Sequence, residues 1–86
     1  MYRIFIERKA ENDLNALERG IRERVIKYIL KLGINPRLNA KKLTESKNAW
    51  RVRIGDWRVI YEIEIEKQNI IVHYIDRRDK IYKRVK

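Results

Sequence analysis

The sequence predicts an α+β domain in which a small antiparallel β-sheet of about four strands packs against an N-terminal pair of helices. Apolar residues recur at helical spacing over residues 9–18 and 21–32. Residues 49–76 instead alternate apolar and polar side chains around a central Gly-Asp pair. The 86 residues are enough for a single domain, 1–86, with a small core.

Two helical runs precede the strands. Gly20 separates them, and Gly33 is a plausible C-terminal cap for the second run because Pro36 follows shortly after it. The apolar stripes of the two runs can cover one face of a sheet. In chain order the predicted elements are a strand, two helices, a basic loop and three strands, over residues 2–7, 9–18, 21–32, 35–48, 49–54, 57–65 and 70–76.

The segment from Trp50 to Tyr61 predicts a β-hairpin with a two-residue loop, Gly55-Asp56. Glycine at the first loop position favours a type II′ turn, whose twist matches that of the flanking strands. This loop length sets Arg53 opposite Arg58, with side chains alternating between the two faces. One face therefore carries the apolar residues Trp50, Val52, Ile54, Trp57, Val59 and Tyr61, and the other carries Arg51, Arg53 and Arg58.

The last two strands extend this pattern if residues 66–69 form the loop between them. Ile65 then lies opposite Ile70, and Arg58 lies opposite Arg77. The apolar face gains Ile63, Ile65, Ile70, Val72 and Tyr74, while Arg53, Arg58 and Arg77 form a row across three neighbouring strands. We call the side of the sheet that carries this row the arginine face.

A row of arginines on neighbouring strands predicts an anionic ligand, because like charges placed opposite each other destabilise a sheet. Guanidinium groups bind phosphate oxygens bidentately and stay charged at physiological pH, so a phosphodiester is the natural candidate. The alternative is a solvated strand face whose arginines pair with Glu62, Glu64 or acidic loops, as is common on antiparallel sheets.

The composition narrows the functional classes. A formal net charge of +10 favours nucleic acid, a membrane surface or an acidic protein as the partner. The chain has no cysteine and one histidine, His73, so we expect no metal site and interpret His73 as a structural or surface residue. No apolar run approaches the roughly 18 residues of a membrane span, and the N-terminus lacks a signal-peptide core, so we expect a cytoplasmic protein.

The aromatic and basic residues outside the arginine row each allow a functional and a structural interpretation. Tyr82 lies among basic residues, where it could stack on a base or exchange a proton, or could simply close the end of the core. The two tryptophans could stack on bases, but their place on the apolar face predicts a core role. The loop lysines Lys41, Lys42 and Lys47 predict a solvated loop or a diffuse surface that attracts phosphates.

The ordered residues Trp-Arg-Val-Arg-Ile-Gly-Asp-Trp-Arg-Val-Ile-Tyr at 50–61, with Asp-Arg-Arg-Asp-Lys-Ile-Tyr at 76–82, resemble the RelE/ParE toxin superfamily. These are small basic toxins of bacterial and archaeal toxin–antitoxin pairs, and the resemblance covers the whole chain. The clustered arginines together with Tyr82 favour the RelE branch, which implies a ribosome-dependent endoribonuclease that contacts ribosomal RNA and cleaves mRNA in the ribosomal A site. It also implies inhibition by a cognate RelB-type antitoxin, whose acidic segment would neutralise the basic face.

The family mechanism implied by this resemblance needs no metal or other cofactor. The ribose 2′-OH attacks the adjacent phosphate and leaves a 2′,3′-cyclic phosphate and a 5′-OH. By position, Arg58 would hold the scissile phosphate, and Tyr82 would stack on or orient the attacked nucleotide. Arg51 and Arg53 would match a basic pair on the preceding strand. The loop lysines Lys41 and Lys42 are added to the predicted RNA-phosphate ligands because of their charge alone.

The resemblance leaves two residue assignments open. The late arginine that stabilises the leaving oxygen aligns best with Arg78, whereas side-chain alternation places Arg77 on the arginine face, and a bulge or shifted turn would reconcile them. The best-known RelE-type site has lysines at the positions of Arg51 and Arg53. Arginine essentially never deprotonates, so these residues can stabilise a transition state but cannot accept the 2′-OH proton. The candidate proton acceptors are Tyr82, Lys80 or a group of ribosomal RNA.

Two other functions compete with the endoribonuclease. A ParE-type toxin would share the fold but poison DNA gyrase, which makes its target a protein. A nucleic-acid-binding module would use the same basic surface without catalysis.

Overall fold

The computed structural model of the chain describes residues 1–43 and 48–77. Over these residues it confirms the α+β class, with two helices and a five-stranded sheet. The elements are β1 (Arg3–Ile6), α1 (Arg8–Asn15), α2 (Arg19–Leu32), β2 (Lys41–Lys42), β3 (Ala49–Ile54), β4 (Trp57–Glu64) and β5 (Asn69–Arg77). No helix within the described ranges is long and apolar enough to cross a bilayer.

The sheet runs in the order β1-β5-β4-β3-β2, and its two edges differ from the prediction. β1 pairs with β5 in parallel, so the sheet is mixed rather than wholly antiparallel. β2 lies within the segment predicted as a basic loop, where Lys41 pairs with Arg51 and Lys42 pairs with Trp50. A strand of two lysines has no apolar alternation, so the sequence pattern could not reveal it.

Both helices place their apolar stripes on one side of the sheet. Ala10 and Leu14 of α1 are buried, as are Val25, Ile29 and Leu32 of α2. They pack with the apolar side chains of β3, β4 and β5 to form one core. We call the other side of the sheet, away from the helices, the outer face, and it corresponds to the predicted arginine face.

The two helical glycines have different roles. Gly20 is the second residue of α2, so the break between the helices precedes it rather than coinciding with it. Gly33 caps α2 with a right-handed backbone, φ −61°. A Cβ atom on Gly33 would lie 3.3 Å from the carbonyl oxygens of Leu30 and Tyr2, so glycine here allows α2 to end close against the N-terminal segment.

The β3–β4 hairpin confirms the predicted register. Arg53 lies opposite Arg58, and the flanking pairs continue as expected from Ile54↔Trp57 to Trp50↔Tyr61. Gly55 has φ +61°, whereas φ at Asp56 is not positive. A positive φ at the first loop residue alone is typical of a type II′ turn. The two-residue loop therefore sets which side chains share each face.

The β4–β5 hairpin differs from the predicted register. Its turn spans residues 65–68 rather than 66–69, and Gln68 adopts φ +54° and donates from its backbone N–H to the Ile65 carbonyl. Ile63 therefore lies opposite Ile70, and Ile65 is exposed in the turn instead of packing on the apolar face. Nothing in Glu-Lys-Gln-Asn favours one of these two turns over the other in the sequence.

A β-bulge then shifts the register of β5 once more. Tyr61 pairs with Val72 and Ile60 pairs with Tyr74, which leaves His73 as the extra residue. Tyr74 consequently lies on the outer face beside Ile60, and the prediction that it joins the apolar face is wrong.

Candidate anion-binding site

A pocket of about 110 Å³ opens on the outer face of the sheet. We call it the basic pocket, and it is lined by Asn39, Lys41, Arg51, Arg53 and Arg58. Four of these five side chains carry a positive charge, and none is acidic. Four of them, all but Asn39, were predicted phosphate ligands, so the structure brings most of the predicted cationic cluster together.

Three neighbouring strands position the cationic side chains of the basic pocket. Lys41 of β2 lies opposite Arg51 of β3, and Arg53 of β3 lies opposite Arg58 of β4. Adjacent strands are about 5 Å apart, so these four side chains project from a small patch of backbone. Arg51 and Arg58 are half-buried, whereas Arg53 and Lys41 are exposed.

The turn of the β3–β4 hairpin also orients one pocket arginine. The Nε of Arg53 donates a hydrogen bond of 3.2 Å to the carbonyl oxygen of Gly55. Gly55 thus contributes to the basic pocket in two ways. Its turn sets the register of β3 and β4, and its carbonyl group accepts the hydrogen bond that orients Arg53.

Asn39 is a pocket residue that the sequence interpretation missed. It has φ +51°, a left-handed conformation that asparagine tolerates better than most residues, and that preference was the available signal. The loop before it is tied to the core by two tyrosines. Tyr61 donates to the Pro36 carbonyl at 2.6 Å, and Tyr28 donates to the Leu38 carbonyl at 2.9 Å.

These tyrosines link the core to the basic pocket. Tyr61 is fully buried at the centre of the sheet, and burial raises the pKa of its hydroxyl well above its usual value, with Tyr28 adding to the shift. The neutral hydroxyl is therefore retained as a donor that holds the loop leading to Asn39 and Lys41.

The row that crosses the outer face is Arg53, Arg58 and Asp76, not Arg53, Arg58 and Arg77. The predicted pairing of Arg58 with Arg77 is wrong, because the shifted turn and the bulge place Asp76 opposite Arg58. Arg77 instead lies opposite Trp57, with its guanidinium 5.7 Å from the centre of the indole ring. Its side chain is therefore on the helix side of the sheet.

Lys42 is also separated from the basic pocket. It pairs with Trp50 and projects to the face opposite that of Lys41, because consecutive residues of a strand alternate. Trp50 and Trp57 pack against the core, as predicted, and Arg37 lies 5.3 Å from the ring centre of Trp50. The predictions for Lys47, Arg78, Lys80 and Tyr82 lie outside the described residues.

His73 lies between two carboxylates. Its Nδ1 contacts Oε1 of Glu7, and its Nε2 is 3.4 Å from Oε1 of Glu62. These contacts join the start of α1 to β4 and β5 and agree with a structural role. Among the described residues no cluster of three or more histidine, cysteine or acidic side chains is arranged to hold a metal ion.

Comparison with known proteins identifies relatives of this fold. The family model for the ParE toxin of the type II toxin–antitoxin system parDE matches residues 4–82. Comparison of the sequence with curated proteins found no match.

Solved structures of RelE toxins superimpose closely on the chain. The toxin–antitoxin complex RelBE2 from Mycobacterium tuberculosis gives a TM-score of 0.81 at 24% identity, covering 90% of this chain and 98% of that one. The isolated E. coli RelE toxin gives 0.80 at 19% identity, covering 100% of both chains. The archaeal RelE–RelB complex from Pyrococcus horikoshii gives 0.78 at 23% identity, covering 90% and 94%. At these identities the likeness is one of fold.

Proposed function

Since the chain belongs to the ParE toxin family of type II toxin–antitoxin systems, we propose that this toxin is a metal-independent endoribonuclease. On this proposal it cleaves mRNA in the ribosomal A site and is held inactive by a cognate RelB-type antitoxin. The observation that carries the proposal is the basic pocket, in which three arginines and a lysine from adjacent strands surround one small volume.

The chemistry of the basic pocket suits a phosphodiester. Arginine and lysine are hydrogen-bond donors without acceptors, and they match the oxygens of a phosphate that gains negative charge during displacement. Arg58 is half-buried, and its position on the central strand β4 fits the role of holding the scissile phosphate. Arg51, Arg53 and Lys41 then stabilise the developing charge.

The proposed reaction is attack of the ribose 2′-OH on the adjacent phosphate. The phosphorus–oxygen bond to the next nucleotide breaks, and the leaving 5′-oxygen takes a proton from water, which leaves a 2′,3′-cyclic phosphate and a 5′-OH. The resemblance assigns Arg78 to the leaving oxygen and Tyr82 to the attacked nucleotide. The proton of the 2′-OH goes to Tyr82, Lys80 or a ribosomal RNA group, because the pocket arginines cannot accept it.

A cognate antitoxin is proposed from the relatives as well. The RelE toxins of M. tuberculosis and P. horikoshii were solved in complexes with antitoxins. A chain of net charge +10 would attract an acidic antitoxin segment, and covering the basic pocket would exclude RNA.

The proposal is tested in a cell-free translation system supplied with the purified protein. Primer extension on the translated mRNA should show cuts phased with the codons, and Arg58→Ala should abolish them. Arg19→Ala is the matched control, because Arg19 is an exposed arginine of α2 that pairs with Glu23. Cuts that persist in Arg58→Ala would overturn the assignment of the basic pocket as the active site.

A ParE-type poison of DNA gyrase is the second candidate, and the matching family model favours it by name. The same preparation should then cause gyrase cleavage complexes to accumulate on plasmid DNA, with no cuts in translated mRNA. RNA binding without cuts and without gyrase complexes would indicate a non-catalytic nucleic-acid-binding module.

A further inference from the structure

Asp76 is the one buried charged residue in the part of the chain that the structure describes, at 5% exposed. It lies on β5, opposite Arg58 of β4, and therefore on the outer face that carries the basic pocket. Sequence alternation had assigned this position to an arginine. The row across β3, β4 and β5 therefore consists of two arginines, Arg53 and Arg58, followed by the buried acidic residue Asp76.

The surroundings of Asp76 restrict its possible partners. A carboxylate removed from water is costly unless cations or donors compensate its charge. Residues that face each other on antiparallel strands have Cβ atoms about 4.5–5.5 Å apart, well within the reach of an arginine side chain. Arg53 lies one strand further away, on the far side of Arg58.

The backbone that carries Asp76 is held from both sides. On one side β5 pairs with β4. On the other, β1 pairs with β5 only as far as Val72, and beyond it Asp13 of α1 accepts the Ile75 N–H at 2.9 Å. The backbone of Asp76 is therefore held in place opposite the long side chain of Arg58.

We infer that Asp76 is a positioning residue for Arg58, whose carboxylate orients the guanidinium so that its remaining N–H donors point into the basic pocket. Arg53 repels Arg58 from one side and Asp76 attracts it from the other, so the two neighbours bias the guanidinium in the same direction. The inference deepens the proposed function and rests on it only in taking the pocket anion to be the scissile phosphate.

The first test does not depend on activity. In the full chain, the Nε–Hε resonance of Arg58 in an NMR spectrum should be sharp and protected from exchange with water. Asp76→Asn removes the charge at nearly constant shape and should abolish this protection. Asp13→Asn is the matched control, because it loosens the adjacent Ile75 amide without altering the outer face, and it should retain the protected resonance. An Arg58 resonance that is unchanged in Asp76→Asn would overturn the inference.

The second test uses mRNA cleavage in the translation assay. Asp76→Asn should lower kcat about 10- to 100-fold with a smaller change in KM, as expected when a group is displaced from its productive geometry. Asp76→Glu, which keeps the charge, should recover part of the rate. In an Arg58→Lys background, which keeps a positive charge in the basic pocket, Asp76→Asn should cause a much smaller further loss, and additive losses would contradict the coupling.

The two tests separate the inference from the proposed function. A wild-type protein that cuts no mRNA but shows the coupled Arg58 resonance would refute the endoribonuclease and retain the positioning role. Should Asp76→Asn alone not fold, the double variant Arg58→Gln/Asp76→Asn removes both charges and is expected to fold. Failure of the double variant as well would count against the pairing.

Discussion

Arg53 lies directly opposite Arg58 across the β3–β4 hairpin, so that two guanidinium groups share one patch of the outer face. Two like charges in this arrangement oppose each other in the free protein. A bound phosphate would relieve that opposition.

Removal of Arg53 should weaken RNA binding in a way that depends on salt. Each phosphate contact adds about 0.7 to the slope of log affinity against log salt concentration for single strands, so Arg53→Ala should reduce the slope by about that amount. The measurement is fluorescence anisotropy of a short single-stranded RNA at several salt concentrations. Arg19→Ala, on the exposed surface of α2, should leave the slope unchanged. Equal slopes for Arg53→Ala and wild type would remove Arg53 from the phosphate site.

Gly55→Ala should destabilise the protein by about 1–2 kcal/mol, because Gly55 has φ +61° and a Cβ atom in the left-handed region is strained. The change should also disturb Arg53, which donates to the Gly55 carbonyl. Urea unfolding measures the loss. Gly20→Ala is the control, since its Cβ would have no heavy atom within 4 Å in α2 and should be neutral or stabilising. Equal effects of the two substitutions would contradict the turn assignment.

Tyr61 should make the stability depend on pH in the alkaline range. Burial raises the pKa of Tyr61 in the folded state, so the native protein holds this proton more tightly than the unfolded chain does. The tyrosines of an unfolded chain have pKa values of about 10. The stabilisation is complete below that pH and is lost progressively as the pH rises above it, by up to about 1.4 kcal/mol per pH unit.

Tyr61→Phe tests this dependence. At neutral pH it should cost about 1 kcal/mol, because the hydrogen bond to the Pro36 carbonyl is lost. Urea unfolding of both proteins from neutral to strongly alkaline pH should show the difference shrinking and then reversing, while lysines that titrate in the same range affect both alike. Parallel curves would show that Tyr61 does not ionise with a raised pKa.

Arg77→Ala should leave mRNA cleavage close to that of wild type, because Arg77 lies over Trp57 on the helix side of the sheet. Loss of the contact with the indole ring should cost about 0.5–1 kcal/mol in stability. The same primer-extension assay compares it with Arg58→Ala. A loss of cleavage as large as that of Arg58→Ala would mean that Arg77 acts in the site and that the β4–β5 register differs in the active protein.

The sequence could predict the β3–β4 hairpin because its turn contains a glycine at the position where a type II′ turn needs one. That single residue fixed the register, and the register placed Arg51, Arg53 and Arg58 on one face. The helical stripes and the apolar face of the β3–β4 hairpin were predictable for a different reason, since each follows a regular period.

The second hairpin could not be predicted to the same accuracy. Its turn has neither glycine nor proline, so the loops 65–68 and 66–69 were equally acceptable, and no pattern marks His73 as a bulge residue. A register shift of one residue changes which residue of β5 lies opposite Arg58, and here that residue is Asp76 instead of the predicted Arg77. The parallel pairing of β1 with β5 depends on distant contacts that local patterns do not encode.

The pairing of β1 with β5 has a consequence for the order of assembly. Arg3 of β1 pairs with Asn69 of β5, so β1 cannot join the sheet until β5 has been synthesised. Contacts between distant parts of a chain form slowly, and chains emerge from the ribosome N-terminus first. We therefore expect nascent chains that end before β5 to show no protected sheet amides in hydrogen exchange. The toxin would then acquire its fold only after β5 has been synthesised, which delays any activity until that point in translation.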